Sequence, residues 1–295
     1  MSNFIEVSLK MQKKNLNAVP LALALACILI FSACGGRTEP DPHEGMIYVN
    51  TGPAYEWLYP ADGVPASNLS GDDFTVDDGI VVYHGQDYDA RLGVDVSFYQ
   101  GEIDWPAVRD AGVDFAMIRC GYRGATEGGL FEDDMFRRNL EGALDAGLDV
   151  GVYFFSQSIG ALEAAEEAQY VLDLIEGYDI TLPVAFDWEP LDDTRTDTVD
   201  EDALTSSAVV FCEMVKDAGY VPAVYLYRQL AYFEYDLSRL GDYTLWVGAP
   251  GDTPDFYYAH DIWQFSFTGR IDGINTDVDL NLYFDKPETP SGAGE

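Results

Sequence analysis

The chain has 295 residues, of which 47% are apolar, and this length can bury one large hydrophobic core or two small ones. Its 52 acidic residues outnumber the 16 basic ones and give a formal charge of −36, which argues against nucleic acid as a partner, because phosphates require lysine and arginine. The three histidines are scattered and no cysteine and histidine spacing fits a zinc site, so we expect neither a metal nor a cofactor.

The N-terminus has the pattern of an export signal. Lysines precede an apolar run over residues 19–31, and small residues and then Cys34 follow it. Such a pattern is typical of a secretory signal peptide, here residues 1–33, with Met11 as an alternative start. The end of the segment, FSACGG, is similar to a bacterial lipobox, in which the cysteine becomes lipidated, although Phe31 replaces the usual aliphatic residue. An ordinary signal or a simple anchor helix is the alternative.

Residues 34–78 are predicted to form a lipid-anchored tether and an N-terminal extension. Residues 35–45 are polar and rich in glycine and proline, as expected of a tether. Residues 46–78 mix aromatic residues with glycine, aspartate and serine and have no clear secondary structure, so we expect loose packing against the main domain. Farther along the chain, Cys120 and Cys212 are too few for a disulfide framework, and we expect two buried thiols.

From about residue 80, strand-like and helix-like segments alternate. Continuous apolar strands between helices indicate a parallel sheet covered by helices, and eight strands predict a barrel of the TIM type that lacks its last helices. A Rossmann-like sheet is the alternative, but no glycine-rich phosphate loop follows the first strand. The predicted strands are residues 92–97, 115–122, 149–157, 182–190, 221–228, 244–249, 261–267 and 278–284. The predicted helices are 104–112 with Asp104 as N-cap, 133–147, 161–177, 202–219 and a weaker one over 229–240, and a tail follows at 286–295.

The stretch LPVAFDWEP, residues 182–190, places two carboxylates on one strand face. Asp187 and Glu189 flank Trp188, and alternate side chains of a strand point the same way. Two carboxylates held close together have pKa values that are pushed apart, so that one stays protonated while the other is charged. Cleavage of a glycosidic bond needs such an acid and such an anion. Two solvated acids at a strand end are the alternative, since the pattern alone is weak.

Polar and aromatic residues at the carboxyl ends of the other strands are further candidates, because chemistry lies at that end of a parallel barrel. Packing inside the barrel is an equally good interpretation of the aromatic ones. The acidic loop at 192–202 lacks the spacing of a calcium-binding EF-hand, and we interpret it as solvated. The candidates are Asp95, the region Arg119–Tyr122, Tyr153, Asp187, Glu189, Tyr225, Trp246, Gln264 and Asp279.

Four long motifs occur in an order that resembles glycoside hydrolase family 25, lysozymes that cleave peptidoglycan as N-acetylmuramidases. They are GVDVSFYQGEIDW (93–105), FAMIRCGYRG (115–124), FEDDMFRRNLEGALDAGLDVGVYFFSQ (131–157) and LPVAFDWEP (182–190). The resemblance covers roughly residues 79–285, which we therefore expect to form the catalytic domain. It implies a (β/α)5β3 barrel, in agreement with the strand count.

The resemblance also implies roles for four acids. Glu189 corresponds to the family's general acid, and Asp187 to the residue that orients the N-acetyl group of the substrate. Asp95 in GVDVS and Asp279 in DVDLN correspond to acids that shape the site and its protonation, and Asp277 ranks lower. Substrate binding is expected of Tyr153, Tyr225, Trp246 and Gln264. WVGAP, residues 246–250, departs from related chains, which often carry an aromatic or polar residue there.

The leading hypothesis is a lipid-anchored, monomeric muramidase at the extracellular face of the bacterial membrane, or a secreted one, with peptidoglycan glycan strands as its substrate. The resemblance favours retention of configuration, with the acetamido group of the substrate as internal nucleophile. An inactive wall-binding lipoprotein is one alternative, although all four acids are present. A chitinase or endo-N-acetylglucosaminidase of the DxxDxDxE type is another, but Ala185 occupies the position of an upstream acid.

Overall fold

The computed structural model describes residues 41–287. The predicted signal peptide 1–33, the predicted lipidation site Cys34 and most of the predicted tail 286–295 lie outside the described residues. Within the described part of the chain, no helix is both long and apolar enough to cross a bilayer.

Eight of the thirteen strands in the described range close into a barrel, as the sequence predicts. Around the ring their order is β5, β13, β12, β11, β10, β9, β8 and β6, and pairing of β5 with β6 closes it. Helices follow the first five barrel strands and not the last three, so the fold is the expected (β/α)5β3 barrel. The strands are β1 (Ile47–Asn50), β2 (Tyr55–Leu58), β3 (Phe74–Asp77), β4 (Ile80–Tyr83), β5 (Asp89–Val96), β6 (Phe115–Arg123), β7 (Leu130–Glu132), β8 (Asp149–Ser156), β9 (Val184–Trp188), β10 (Pro222–Tyr227), β11 (Thr244–Gly248), β12 (Ile262–Gly269) and β13 (Val278–Asp285). The helices are α1 (Trp105–Asp110), α2 (Phe136–Asp145), α3 (Ala161–Ile175), α4 (Glu201–Asp217) and α5 (Arg228–Phe233).

The last strand corrects the expectation of a wholly parallel sheet. β13 runs antiparallel to both β12 and β5, whereas the other neighbouring pairs of the ring are parallel. No helix lies between β12 and β13, and a short link returns the chain beside the strand it has left. Asp279 therefore lies near the start of its strand and not at the carboxyl end, yet it reaches the same end of the barrel as Asp95.

Helix ends follow from individual side chains. Asp104 caps α1, as predicted, because its carboxylate accepts a hydrogen bond from the Ala107 amide at 3.2 Å. The predicted helix 133–147 begins only at Phe136, since Asp133 turns inward instead. The weak helix expected over 229–240 is wrong as one element. It divides into α5 and a 3₁₀ turn at Leu237–Arg239, which Asp236 caps.

Apolar residues fill two regions, one inside the barrel and one between the barrel and its helices. The interior includes Phe115, Met117 and Ala185, and it is tight. A Cβ atom added at Gly93 would collide with the Phe115 ring, so only glycine fits that position. Cys120, in the outer layer, is a buried thiol that is not paired in a disulfide.

Two hairpins precede the barrel, where the sequence had no clear secondary structure. Strands β3 and β4 pair around a turn at Asp78 and Gly79, both with positive φ, and the predicted domain boundary at 79 falls in this turn. Phe74 of β3 is 7% exposed and meets Trp263 and Phe284 edge-on, with ring centroids 5.7 and 6.1 Å away. This hairpin therefore packs into the outer core of the barrel.

Candidate active site

Four acids converge at one end of the barrel from three strands. Asp95 lies near the end of β5, Asp187 lies in β9, Glu189 follows the last residue of that strand, and Asp279 lies near the start of β13. In the ladder between β13 and β5, Asp279 is the direct partner of Asp95. The four sequence-predicted acids thus share one site.

Asp95 and Asp279 lie opposite each other on neighbouring strands. Asp95 is 6% exposed, and its Oδ2 accepts hydrogen bonds of 2.8 Å from Gln264 Nε2 and from Asn281 Nδ2. Burial raises the pKa of Asp95 to about 6, while these hydrogen bonds oppose the rise. Burial and then the charges of Asp95 and Glu189 raise the pKa of Asp279 to about 9. Burial and the neighbouring charges therefore favour the protonated form at Asp279 more than at Asp95.

Buried aromatic side chains orient the two amides that serve Asp95. Tyr225 donates its hydroxyl to Gln264 Oε1 at 2.7 Å, and Trp246 donates from Nε1 to Asn281 Oδ1 at 2.8 Å. Because each amide oxygen is already occupied, each amide NH₂ group turns toward the carboxylate. The two aromatic residues therefore hold the amides in place, and the amides in turn hold the Asp95 carboxylate.

Three predicted sugar contacts lie deep in the structure. Tyr153, Tyr225 and Trp246 are 9%, 4% and 2% exposed and belong to the cluster inside the barrel. Their rings meet edge-to-face, with centroids 5.8 Å apart for Tyr153 and Trp246 and 4.9 Å for Tyr225 and Trp246. Gln264 is likewise buried and bonded to Asp95. Binding of substrate by these four residues stays a prediction.

Asp187 is a buried carboxylate with an incomplete set of hydrogen bonds. It is 5% exposed, and its Oδ1 has no hydrogen-bond partner within the described residues. Burial, followed by the charges of Glu189 and Asp95, raises its pKa well above the ordinary value, and the charge of Arg119 opposes this rise. A donor that reaches Oδ1 would therefore stabilise the charged form.

Glu189, like Asp279, is partly exposed to solvent, whereas Asp95 and Asp187 are buried. Glu189 lies just past the end of β9 and is only partly buried. Gln157 holds the backbone at this point by donating from Nε2 to the Glu189 carbonyl at 2.7 Å. Burial and then the charge of Asp95 raise the pKa of Glu189 to about 8, which favours the protonated form at neutral pH.

Arg119 brings a positive charge to the floor of the site. It is 8% exposed, and Asp133 accepts from its Nε at 2.8 Å and lies 2.7 Å from its Nη2. The guanidinium also lies 5.0 Å from the centroid of the Phe98 ring and 5.5 Å from that of Tyr99. Phe98 and Tyr99 are 41% and 69% exposed and form an aromatic edge directly after Asp95.

Sequence reasoning missed several members of the site. Asn281 is two residues after Asp279, so the period-two rule for a strand already places both on one face. Asp133 lies inside the segment 133–147 that the sequence pattern assigns to a helix, and this pattern gives no sign that its side chain turns inward. Phe98 and Tyr99 lie inside the quoted motif GVDVSFYQGEIDW, but a lone aromatic pair after a strand has no specific signature.

Comparison with known proteins fixes the family. Residues 94–274 match the family model described as glycosyl hydrolases family 25. The chain belongs to glycosyl hydrolase family 25. The match leaves out Asp279, Asn281 and the two N-terminal hairpins.

Two relatives of the family 25 chain are named as lysozymes. The chain is 27% identical over 192 residues to the autolytic lysozyme of Clostridium acetobutylicum, and this match covers 65% of the chain and 55% of that lysozyme. It is 29% identical over 218 residues to lysozyme M1 of Streptomyces globisporus, covering 65% and 67%. The chain thus spans about half the length of the first relative.

Solved structures share the fold. The autolysin LytC of Streptococcus pneumoniae has a TM-score of 0.59 at 24% identity, over 71% of this chain and 52% of that one. A family 25 glycosyl hydrolase of Bacillus anthracis has a TM-score of 0.56 at 23% identity, over 70% and 94%. At this identity the likeness supports the barrel fold alone.

The raised pKa values predict how stability depends on pH. A carboxyl group whose pKa is higher in the folded than in the unfolded chain stabilises the fold below its ordinary pKa, and this stabilisation is lost as pH rises through the folded value. For Asp279 that window runs from about pH 4 to about pH 9. We expect Asp279→Asn, which stays neutral, to be roughly 1–3 kcal/mol more stable than the native chain at pH 9, with little difference at pH 4. Thermal melting at both pH values measures this.

The exposed Asp272→Asn variant, in the link before β13, is the control and should show no such pH-dependent gain. Equal effects of Asp279→Asn at pH 4 and pH 9 would contradict a buried proton at this position.

Proposed function

We propose that this chain is an exported lysozyme that hydrolyses the β-1,4 bond between N-acetylmuramic acid and N-acetylglucosamine in peptidoglycan. Membership of family 25 and relatives named as lysozymes support this function. The observation that carries it is the pair formed by Asp187 and Glu189. Asp187 is buried with an unpartnered oxygen, and Glu189 is partly exposed with a pKa that is raised above its ordinary value.

Mass spectrometry of the fragments released from purified peptidoglycan tests the reaction. Reducing ends of N-acetylmuramic acid are expected. Reducing ends of N-acetylglucosamine would instead favour the glucosaminidase alternative, and no release would favour a wall-binding protein without activity.

In the proposed first step, Glu189 donates its proton to the glycosidic oxygen as the bond to C1 breaks. The carbonyl oxygen of the 2-acetamido group attacks C1 and forms an oxazolinium ion, so no protein nucleophile is needed. Asp187 accepts a hydrogen bond from the acetamide N–H and stabilises the positive charge. In the second step Glu189, now charged, takes a proton from water, whose oxygen attacks C1 and restores the acetamido group.

The substrate itself would set the protonation states that this scheme requires. In the free protein, burial and neighbouring charge keep the pKa of Asp187 high. The acetamide N–H is the donor that Oδ1 lacks, so binding would lower the pKa of Asp187. The resulting negative charge would raise the pKa of Glu189 further, because like charges disfavour a second ionisation. The general acid would therefore stay protonated in the complex.

Glu189→Gln should lower the rate of cell-wall lysis by on the order of 10²-fold or more, because it removes the transferable proton and keeps the shape of the side chain. A turbidity assay with purified walls measures this. Glu176→Gln, an exposed position after α3, is the matched control and should be unaffected. Near-native lysis by Glu189→Gln would exclude this residue as the general acid.

Asp187→Asn should lose most activity although it preserves size, since an amide does not supply the anion that the oxazolinium ion requires. Substrate with de-N-acetylated muramic acid should also be cleaved poorly, because its internal nucleophile is absent. Proton NMR of a fresh digest should show retention of the β configuration. An initial α product would mean inversion, with Asp187 available as the base for direct attack by water.

We also propose that Cys34 carries a lipid that anchors the protein to the membrane. The support is the sequence alone, since the segment lies outside the described residues. Dual acylation gives firm anchoring, whereas an acidic chain without it has little affinity for a bilayer. Cys34→Ala should move the protein from the membrane fraction to the soluble or secreted one, with the buried Cys212→Ala as control. Unchanged fractionation of Cys34→Ala would exclude the lipid anchor.

A further inference from the structure

The β1–β2 hairpin exposes a row of aromatic rings. Its register pairs Tyr48 with Trp57 and Asn50 with Tyr55, so these four side chains share one face. Tyr48, Trp57 and Tyr55 are 57%, 43% and 59% exposed. Ring centroids are 5.0 Å apart for Tyr48 and Trp57 and 5.5 Å for Tyr48 and Tyr55, and His43 stacks on Trp57 at 4.1 Å. A contiguous exposed row of this kind is typical of a binding surface.

The hairpin is fastened to the active-site end of the barrel. Asn50, on the aromatic face, donates from Nδ2 to Asp255 Oδ2 at 2.7 Å, and Arg228 Nη1 donates to the same oxygen at 2.9 Å. Arg228 follows the carboxyl end of β10, and Asp255 lies in the loop after β11. The turn of the hairpin touches β10 as well, because a Cβ atom added at Gly52 would lie 3.6 Å from the hydroxyl of Tyr227.

Tyr227 links this turn to the candidate acid. The ladder between β9 and β10 places Tyr225 beside Asp187. Two residues farther, on the same face of each chain, are Tyr227 and Glu189. Burial raises the pKa of Tyr227, and the charge of Glu189 contributes to that rise, as expected of neighbours. The aromatic row therefore continues the rim of the site on the side of β10.

We propose that the aromatic face of the β1–β2 hairpin is a glycan-binding platform that holds the peptidoglycan strand beyond the bond that is cleaved. This inference rests on the proposed function. The C–H faces of N-acetylated sugars are apolar and pack on aromatic rings, while the polar edges of tyrosine and tryptophan suit the sugar hydroxyl groups. The hairpin lies outside residues 94–274, so the platform belongs to the extension and not to the family core.

Charge favours a glycan over a lipid surface as the occupant. The sequence has no lysine or arginine from residue 38 to residue 90, whereas Asp41, Glu44, Glu56 and Asp62 lie on or near the hairpin. An anionic membrane surface attracts basic segments and repels acidic ones. An uncharged sugar ring carries no such penalty. Aromatic stacking without cations is therefore suited to the neutral part of the substrate.

Binding to purified, insoluble peptidoglycan tests the platform. All variants carry Glu189→Gln and Cys34→Ala in the full chain, so that the wall is not digested and a lipid does not contribute. Combined Tyr48→Ala, Tyr55→Ala and Trp57→Ala should weaken binding by roughly tenfold, as expected for the loss of several ring contacts. The matched variant Tyr48→Phe, Tyr55→Phe and Trp57→Phe retains an aromatic ring at each position and should bind within about twofold of the parent. Melting temperatures confirm that both variants fold.

Undiminished binding by the folded alanine variant would overturn the proposal. The proposal would also be overturned if the alanine variant still bound the wall but no longer sedimented together with anionic phospholipid vesicles, since the occupant of the face would then be a membrane. A third overturning result is conversion of a dimer to a monomer in analytical ultracentrifugation without a change in wall binding. Activity of the chain with Glu189 intact is measured separately, so failure of the proposed reaction does not affect this result.

Discussion

Because β13 runs antiparallel to both of its neighbours, Asp279 at its start faces Asp95 near the end of β5, and this pairing joins the last strand of the barrel to the first. The same register places Asn281 two residues farther on the same face, where it bonds Asp95. The register between the first and last barrel strands therefore also brings the two acids together. A strand in the opposite direction would carry Asp279 to the far end of the barrel.

The closed barrel imposes an electrostatic cost on its contents. Desolvation disfavours every charged carboxylate, and the fold responds differently at each position. Asp95 receives hydrogen bonds from two oriented amides, which oppose the rise in its pKa, whereas the charges of Asp95 and Glu189 raise the pKa of Asp279 further. At Asp187, the charge of Arg119 opposes the rise in pKa that burial and the neighbouring acids cause. Tyr225 and Trp246 affect Asp95 indirectly. They donate hydrogen bonds to the amide oxygens of Gln264 and Asn281, so that the NH₂ groups of these amides point toward Asp95.

The sequence predicted those features that depend on interactions between residues close together in the chain. Strand periodicity located the eight barrel strands, and the cap at Asp104 appeared where its spacing indicated. The direction of β13 depends on the connection that precedes it, and a lone strand pattern does not contain that information. Asp133 had a helical neighbourhood yet turns inward to meet Arg119, a contact across the fold. The sequence did not predict the β1–β2 hairpin, because its aromatic residues are exposed and its strands do not alternate between an apolar core face and a polar outer face.

In the proposed reaction, substrate binding and chemistry are coupled through Oδ1 of Asp187, a buried carboxylate oxygen that has no donor within the described residues. A buried acceptor of this kind costs free energy unless a partner arrives, and removal of that cost on binding favours a ligand with a matching N–H. The acetamide of muramic acid has this group beside the reacting carbon. The same hydrogen bond would shift charge onto Asp187 and leave the proton on Glu189, whose partial exposure lets it meet both the leaving oxygen and the incoming water. On this argument, a sugar without the N–H would bind less tightly and would also leave the two acids in the wrong order of protonation.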